Sequence, residues 1–590
     1  MKQKVTNSAM WGRRILAGCT FLLGVNVAFG AQTAKISSDL QGQTGAVPIN
    51  VIVQYKQAPT SLQLQSVLSL GGLLEQELGL IKAAVFRIPV SALGTLAADP
   101  NVTYISPDRP LSGTSNGNPN AVLDYHKETI NLAAAQSAGL TGAGVGVAII
   151  DSGMILSPEL NNVNNLLFSE SFVGSGLLSS ANDQFGHGTH VAGIIAGNGS
   201  QSAGSGYTYH FLGIAPLANT INLRVLDQNG IGTDSQVINA IQTAINLKSL
   251  YNIRVINLSL GRGVYESYTL DPLCQAVEQA WKAGIVVVVA AGNGGRDDAA
   301  GTNGYGTINA PGNDPYAITV GAMNTLATPS RTDDVPASYS SKGPTLWDQV
   351  AKPDLVAPGN LIISLYTPGL TLDQEYPGNE IPQSLYQVNG SSTASNTYFV
   401  LSGTSMAAPM VSGTVALMLQ KAPWLTPDQV KARLMLTAFK GLQTASTAKD
   451  QTTGQVFNTQ ADLFTIGAGY LDIQAALAST ALAPATVGTA MSPTAEVDNQ
   501  GNVVLVTSSS DIWGGPATWT DSAVWGNQVL SGTDKQGYSM VWGVSSISDN
   551  SVIWGNSTVN SSSVLSGTSV LWGRDTSSPD AQAGSVADQP

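Results

Sequence analysis

The sequence predicts an α/β protein whose main part is a doubly wound parallel sheet, preceded by a small α/β unit and followed by a β-rich repeat region. Between residues 121 and 480, helical segments alternate with apolar runs. The runs are continuous, as expected for strands that are buried on both faces of a parallel sheet. Polar residues stand where several runs end, which is where doubly wound sheets bind ligands. The runs are Val145–Asp151, Thr220–Asp227, Ile253–Leu260, Gly284–Asn293 and Tyr316–Ala322.

The composition argues against nucleic acid as a partner. The chain has 590 residues, a formal net charge of −13 and only 11% charged residues. Phosphate binding needs clustered Lys and Arg, and the sequence contains no dense basic run. The length predicts two to four domains.

Residues 1–30 have the pattern of an export signal. Lys2, Lys4, Arg13 and Arg14 precede the apolar segment Ile15–Phe29, and small residues come before a cleavage point near Ala31. The apolar segment is shorter than the ~20 residues that span a bilayer, which disfavours a membrane anchor. Leu16–Cys19 resembles a lipoprotein box, but only four residues separate Arg14 from Cys19, too few for a hydrophobic stretch. Arg13–Arg14 resembles a twin-arginine signal, but its flanking residues fit poorly. We therefore expect a protein secreted to the cell envelope or the medium, with no transmembrane segment after the signal.

Residues 47–107 predict a small α/β sandwich in the order β-α-β-α-β. Asp108–Asn120 is rich in Pro, Gly, Ser and Asn and predicts an exposed linker. Removal of the signal leaves Cys274 as the only cysteine, which excludes an internal disulfide. Its place among the apolar residues of a helical segment indicates a buried structural thiol.

The α/β region closes with two predicted helices. Thr426, Pro427 and Gln429 form the start signal of the first, with a capping box. Gly467–Leu477 predicts the last packed helix.

A Trp-Gly pair recurs within residues 501–573. The tryptophans are separated by short strand-like segments and polar turns, which indicates a β-rich repeat module, with a disordered sticky tail as the alternative. The pairs begin at Trp513, Trp525, Trp542, Trp554 and Trp572.

The pentapeptide LSGTS occurs twice, and its surroundings differ. Leu401–Ser405 precedes the helical sequence MAAPMVSGTVALML, whereas Leu565–Ser569 belongs to the repeats. Ser405 at a helix start lies where the amide dipoles favour developing negative charge. Asp151 ends a buried strand in AIIDSG, and His187 begins a helix in GHGTHVAG. We therefore predict that Asp151, His187 and Ser405 form the catalytic site and that Ser569 does not belong to it.

Ser, His and Asp are the groups that acyl transfer requires. Ser405 would attack a carbonyl, His187 would move the proton, and Asp151 would hold the imidazole tautomer. Asn293 would donate its amide to the oxyanion together with the Ser405 backbone N–H. The chain order Asp, His, Ser differs from that of α/β-hydrolases, which carry GxSxG, and from that of chymotrypsin-like enzymes.

Five motifs, in this order, resemble those of subtilisin-like serine proteases: AIIDSG, GHGTHVAG, INLSLG, VVAAGN and GTSMAAP. The resemblance implies an endopeptidase with the four catalytic residues named above. It also implies that residues 47–107 are a propeptide, an intramolecular chaperone and inhibitor whose end occupies the active site until it is cleaved. Protein or peptide substrates and the chain's own propeptide are the expected partners. The substrate-binding residues that it implies are Ser259, Leu260 and Gly261 on one side and Ala290, Ala291 and Gly292 on the other.

No metal site is assigned. His187 and His190 could form a metal pair, but the glutamate of the family's zinc sites is absent. Glu159 falls near a calcium position of some relatives at a shorter spacing, so structural calcium stays open without an assigned site, and the chemistry needs no cofactor. Asp183 and Asp227 are either ligands or turn residues. His126 and His210 are expected at the surface.

The sequence disfavours two rival functions. One is a non-catalytic binding protein in which the repeats are the functional part. An intact set of four catalytic residues argues against it. The other is an esterase or lipase, which the chain order and the propeptide-like region disfavour.

Overall fold

The structure is a computed structural model that describes residues 35–113, 125–160, 165–174, 180–299, 301–450, 454–497, 503–506, 512 and 524. The predicted signal, the Trp-Gly pairs and the second LSGTS lie outside the described residues. Within the described part of the chain, no helix combines the length and the apolar character that crossing a bilayer requires.

The N-terminal unit is a four-stranded antiparallel sheet with the order β2-β3-β1-β4 and two short helices. The predicted order of elements omitted strand β2. Its sequence LLEQEL is mostly exposed, so it shows no clean alternation of apolar and polar residues. The elements are β1 (Pro48–Tyr55), α1 (Ser61–Ser69), β2 (Leu73–Leu78), β3 (Ala83–Pro89), α2 (Leu93–Ala97) and β4 (Val102–Pro107).

The main sheet has the order β13-β12-β11-β10-β6-β8-β7, with β14 beside β12. Its strand pairs are parallel except for β12 with β13, which confirms the predicted doubly wound α/β class. The five predicted apolar runs form β6, β8, β10, β11 and β12. The strands are β6 (Gly146–Asp151), β7 (Leu166–Ser171), β8 (Asn219–Arg224), β10 (Ile253–Leu258), β11 (Val286–Ala290), β12 (Ile318–Asn324), β13 (Val335–Pro336) and β14 (Leu355–Pro358).

Helices cover the main sheet in two pairs, one formed by α5 and α9 and the other by α6 and α7. Smaller sheets surround it: β15-β17-β16, β18-β19 and β20-β21. The helices are α3 (His126–Thr129), α4 (Ala133–Ser137), α5 (His187–Ala196), α6 (Asp234–Tyr251), α7 (Pro272–Lys282), α8 (Thr371–Glu375), α9 (Thr404–Lys421), α10 (Pro427–Thr437), α11 (Leu463–Ile466) and α12 (Ile473–Ala478). The additional strands are β15 (Ile362–Leu365), β16 (Glu380–Pro382), β17 (Ala394–Leu401), β18 (Ala445–Lys449), β19 (Val456–Gln460), β20 (Thr494–Val497) and β21 (Val503–Val506).

Of the two closing helices, the first begins as predicted and the second begins later than predicted. The Thr426 capping box of α10 is present as predicted. Gly467–Leu477 was predicted as one helix, but α12 begins only at Ile473, where the Asp472 side chain accepts from the backbone N–H of Ala475. Gly467 and Gly469 before it have positive φ, which a helix does not allow.

The N-terminal unit ends in a cleft of the main domain. Strand β5 (Pro110–Ser112) pairs antiparallel with β9 (Ile231–Thr233). Ser112 also bridges Gly261 on the other side. The prediction of an exposed linker from Asp108 was therefore wrong for its first residues. Arg109 and Leu111 are each only 3% exposed, because strand pairing and an ion pair hold them.

Candidate active site

The sheet brings the predicted Asp and His together. Asp151 is the last residue of β6 and His187 the first residue of α5, and both side chains are buried. His187 Nδ1 lies 2.7 Å from Asp151 Oδ1. Gly188 permits this approach, because a Cβ there would lie 2.2 Å from the Gly153 carbonyl oxygen. The pair is thus fixed by the crossing of α5 over the end of β6.

The charge of the imidazole is set by two opposing effects. Burial favours the neutral ring, but the charge and hydrogen bond of Asp151 outweigh it and raise the pKa of His187. With Nδ1 facing the carboxylate, the proton of the neutral ring belongs on Nδ1 and the lone pair on Nε2. Nε2 is buried and has no hydrogen-bond partner among the described residues. The site therefore holds a base that is ready to accept a proton.

Ser405 lies in the first turn of α9 and is buried. Its hydroxyl donates to the Ser259 carbonyl oxygen at 3.1 Å, and the Ser259 hydroxyl donates to the Ser405 carbonyl oxygen at 2.8 Å. Within the described residues, no hydrogen bond joins Ser405 to His187. Hydrogen bonds of catalytic groups often form only with substrate bound, so the lack of this bond does not argue against a serine–histidine pair.

Asn293 follows β11 and faces the start of α9. Its Oδ1 accepts from Thr404 N at 2.9 Å and from Thr404 Oγ1 at 3.0 Å. This arrangement makes the NH₂ group the donor end of the amide. The N-terminus of α9 adds the partial positive charge of its aligned peptides. Both features suit an oxygen that becomes negative near Ser405.

Two backbone segments line the cleft, and only one of them was predicted. Gly261 and Ser112 exchange two hydrogen bonds of 3.2 Å, and Gly113 N donates to Gly230 O at 3.3 Å. On the opposite side lies β9, whose three residues IGT carry no strand pattern and were missed. A methyl group on Gly113 would lie 3.2 Å from His187 Nδ1, so the segment reaches the His187 ring.

The second segment that the resemblance implied, residues 290–292, begins with the last residue of β11 and leads to Asn293. Ala291 N donates to Val320 O, and Ala291 O accepts from Asn309 N. Among the described residues, no hydrogen bond joins this segment to Pro110–Gly113. Within the predicted segment Ser259–Gly261, Gly261 pairs with β5, Leu260 is buried, and the Ser259 carbonyl oxygen accepts from the Ser405 hydroxyl.

Comparison with known proteins identifies the family. Residues 142–469 match the Subtilase family. This chain belongs to the subtilase family. It is 40% identical over 304 residues to serine protease AprX of Bacillus subtilis, covering 50% of this chain and 61% of AprX, so the match spans less than two thirds of that relative. Subtilisin E of the same organism is 33% identical over 424 residues, covering 71% of this chain and 92% of that protein.

A solved structure agrees with the fold. Fervidolysin from Fervidobacterium pennivorans, described as a keratinolytic enzyme related to subtilisin, has a TM-score of 0.55 and 22% identity. The alignment covers 75% of this chain and 62% of fervidolysin. This likeness supports the subtilisin-like fold.

In this subtilase, Asp183 holds the start of the histidine helix. Its carboxylate accepts from the backbone N–H groups of Phe185, Gly186 and Thr189 and from the hydroxyls of Ser152 and Thr189, at 2.7–3.0 Å. The sequence pattern alone is compatible with Asp183 as a ligand or as a turn residue. Its position four residues before His187, at the start of a helix, was the available signal for this capping role.

The histidines do not form the metal pair considered from the sequence. His187 Nδ1 faces Asp151, and His190 Nε2 lies 3.1 Å from the Phe399 carbonyl oxygen. His126 was expected at the surface, but it is 5% exposed and lines a small cavity together with Phe211 and Tyr398. Cys274 is a buried thiol, as predicted, and donates to Asn313 Oδ1 at 3.3 Å.

Glu159 lies at the position considered for calcium. Its carboxylate accepts from the backbone N–H of Gly199 at 3.0 Å, from that of Gln201 at 3.1 Å and from the Tyr398 hydroxyl. Burial raises the pKa of Glu159. Calcium takes oxygen ligands, whereas hydrogen-bond donors face this carboxylate. The residues around Glu159 do not fit a calcium ion.

Proposed function

We propose that this protein is a secreted serine endopeptidase that matures by cutting its own precursor. The observation that carries the proposal is the buried Asp151–His187 pair, which lies beside a cleft that holds a strand of the same chain. His187 Nε2 has no hydrogen-bond partner in the part of the chain that the structure describes. The export-signal pattern at the N-terminus supports secretion.

The proposed reaction has two halves. The Ser405 oxygen attacks the substrate carbonyl carbon, and its proton passes to His187 Nε2. The peptide C–N bond then breaks, the amine leaves with that proton, and the acyl group stays on Ser405. A water molecule repeats the sequence, giving its proton to Nε2 and releasing the acid and the free serine. Asp151 keeps the imidazole in the required tautomer and stabilises its charged form.

The oxyanion that forms in each half is stabilised by the Asn293 NH₂ group and the Ser405 N–H. Removal of one such donor costs about 10²–10³ in rate, a magnitude measured on subtilisin itself. Every group in this scheme is a side chain, a backbone amide or water, so the proposed reaction uses no cofactor.

Substrates would bind as extended strands. The backbone edges at Gly261 and at β9 pair with Pro110–Ser112 in this structure, and edge pairing depends on backbone rather than on side chains. Proteins and peptides with unfolded segments are the substrate class that can enter such a cleft.

The same pairing supports self-processing. The N-terminal unit reaches the cleft through Pro110–Gly113, and Gly113 lies against the His187 ring. We place the maturation cut within the first residues after Gly113. Until release, the segment would block the cleft, which is the inhibitory role of a propeptide.

The test compares the precursor with Ser405→Ala, and uses Ser569→Ala in the second LSGTS as the matched control. Chain mass, the N-terminal sequence of the product, casein digestion and the cell fraction are followed over time. We expect the wild type and Ser569→Ala to be exported, to lose the first ~113 residues and to digest casein. Ser405→Ala should stay full-length and inactive. Casein digestion by purified Ser405→Ala would disprove the assignment, and inert wild type would favour the binding-protein alternative.

A further inference from the structure

The cleft strand β5 is the middle strand of three. On one side it pairs with β9 (Ile231–Thr233), and on the other Ser112 pairs with Gly261. Neighbouring strands lie ~4.8 Å apart, so the two outer edges are roughly twice that distance from each other. An extended substrate can pair with both edges only if this separation is kept when the cleft is empty.

Both outer edges lead directly into one ion pair. Asp234 follows Thr233, the last residue of β9, and Arg262 follows Gly261. Arg262 Nε lies 2.8 Å from Asp234 Oδ1, and Arg262 Nη2 lies 2.8 Å from Asp234 Oδ2. Both side chains are buried, at 3% and 0% exposure. The guanidinium thus spans the cleft at the end of the three strands.

The same guanidinium has a second buried partner. Nη2 lies 2.8 Å from Asp271 Oδ1, and Asp271 caps α7 by accepting from Leu273 N. The backbone of Arg262 exchanges two hydrogen bonds with Ala310, at 3.0 and 2.8 Å. Arg262 is therefore fixed both by its backbone hydrogen bonds and by the two carboxylates that its guanidinium contacts. Through these carboxylates it fixes the start of α6 relative to the start of α7.

We propose that Arg262 is a positioning residue that sets the separation of the two cleft edges through Asp234 and so determines how tightly extended substrates bind. The proposal rests on the proposed peptidase function. None of the three ion-pair residues belongs to the N-terminal unit, so the pair stays in the enzyme when residues up to Gly113 leave. A substrate that reaches only the catalytic residues does not use the two edges and does not depend on Arg262.

The test measures two substrates on the mature enzyme. One is a peptide amide with four residues before the scissile bond, which pairs with both edges. The other is an ester of a single acylated amino acid, which does not. The readout is kcat/KM of the peptide amide divided by kcat/KM of the ester. Active-site titration counts the competent sites. A loss of folded enzyme lowers both values equally and leaves the ratio unchanged.

The variants are Arg262→Met, Arg262→Lys and the control Arg254→Met, which removes an arginine that donates to Pro423 O and Leu425 O away from the cleft. We expect Arg262→Met to lower the ratio at least about tenfold, mainly through KM of the peptide. Arg262→Lys keeps the charge but cannot hold both carboxylates as a fork, so it should give an intermediate ratio. Arg254→Met should leave the ratio unchanged.

The outcomes separate this proposal from the proposed function. If wild type cleaves neither substrate and Ser405 does not titrate, the peptidase assignment fails. If wild type is active and folded Arg262→Lys keeps the wild-type ratio, the positioning role is overturned, and that variant decides the matter even if Arg262→Met does not fold. An equal loss on both substrates also overturns it, because that result assigns Arg262 to stability alone.

Discussion

The buried carboxylates near His187 show how environment assigns roles to identical side chains. Asp151 accepts from Ser152 N at 2.7 Å and faces the imidazole, whereas Asp183 is surrounded by backbone and hydroxyl donors. Asp151 is thus placed to act on the charge of the base, and Asp183 on the position of its helix. Burial raises the pKa of Asp183 despite these donors.

The pH dependence of activity follows from the imidazole. The reaction needs neutral His187, and Asp151 raises its pKa, so kcat/KM should rise with pH through a value above the ordinary 6.5. Asp151→Asn removes that charge. The acid limb should then move to lower pH, and kcat should fall by about 10⁴, as in the equivalent trypsin variant. The measurement is the pH profile on a peptide amide, with exposed Asp298→Asn as the control. An unshifted limb in Asp151→Asn would contradict the pair.

Sequence patterns placed the proposed catalytic residues at element boundaries, and the structure has them there. Asp151 ends a continuous apolar run, and His187 and Ser405 begin helices, so all three were assigned correctly to element ends. The rotation of the Ser405 hydroxyl toward Ser259 was beyond reach, because it depends on a contact across 146 residues.

Among the elements, long buried strands were predictable and short edge strands were not. The run that forms β11 is apolar throughout and buried at every position. Strand β9 has three residues and no periodicity, and it exists because β5 pairs with it. A strand that forms only by pairing with its neighbour has little pattern in its own sequence, so the β9 side of the cleft was not predicted.

Helix α10 is held by a buried oxygen cage around Lys431. Its Nζ donates to Pro315 O at 2.7 Å and to Ala317 O at 2.9 Å, and it lies 3.2 Å from Asp354 Oδ1. It also donates to Ser492 Oγ, which ties the segment after α12 to the sheet. Lys431 is completely buried, so its ammonium gains these contacts at the cost of desolvation.

We expect Lys431→Met to destabilise the protein strongly, because it leaves buried acceptors without their donor and Asp354 with one ammonium fewer. Breaking a buried ion pair from one side costs about 3–5 kcal/mol. Denaturant unfolding in the Ser405→Ala background, which prevents self-digestion, gives the free energy of unfolding. Exposed Lys449→Met is the control and should be neutral. If the free energy of unfolding falls by less than about 1 kcal/mol, the hydrogen bonds of Lys431 stabilise the protein no more than an apolar side chain does.

At the scale of the whole molecule, the docking of the N-terminal unit depends on contacts between distant residues. Arg109 Nη1 and Nη2 each lie 2.6 Å from the Glu266 carboxylate, and Arg109 Nε lies 3.0 Å from Asp39 Oδ2. The Tyr265 ring lies 4.6 Å from the guanidinium. The local composition of Asp108–Asn120 indicated an exposed linker. This prediction failed at Arg109 because the partner that buries it is 157 residues away in the sequence and leaves no local signal.

This ion pair should control how long the N-terminal unit stays bound after the first cut. Arg109→Met leaves Glu266 buried without its guanidinium, which weakens the contact between the unit and the enzyme. The lag before casein digestion should therefore shorten at least about tenfold if release limits activation, since each ~1.4 kcal/mol changes an equilibrium tenfold. Arg87→Met, on the exposed face of β3, is the matched control and should keep the wild-type lag. The lag and the cutting of the chain are measured in the same samples, because cutting comes before release. Unchanged cutting with faster activation places the effect at release, whereas an unchanged lag in Arg109→Met would show that the strand in the cleft alone holds the unit in place.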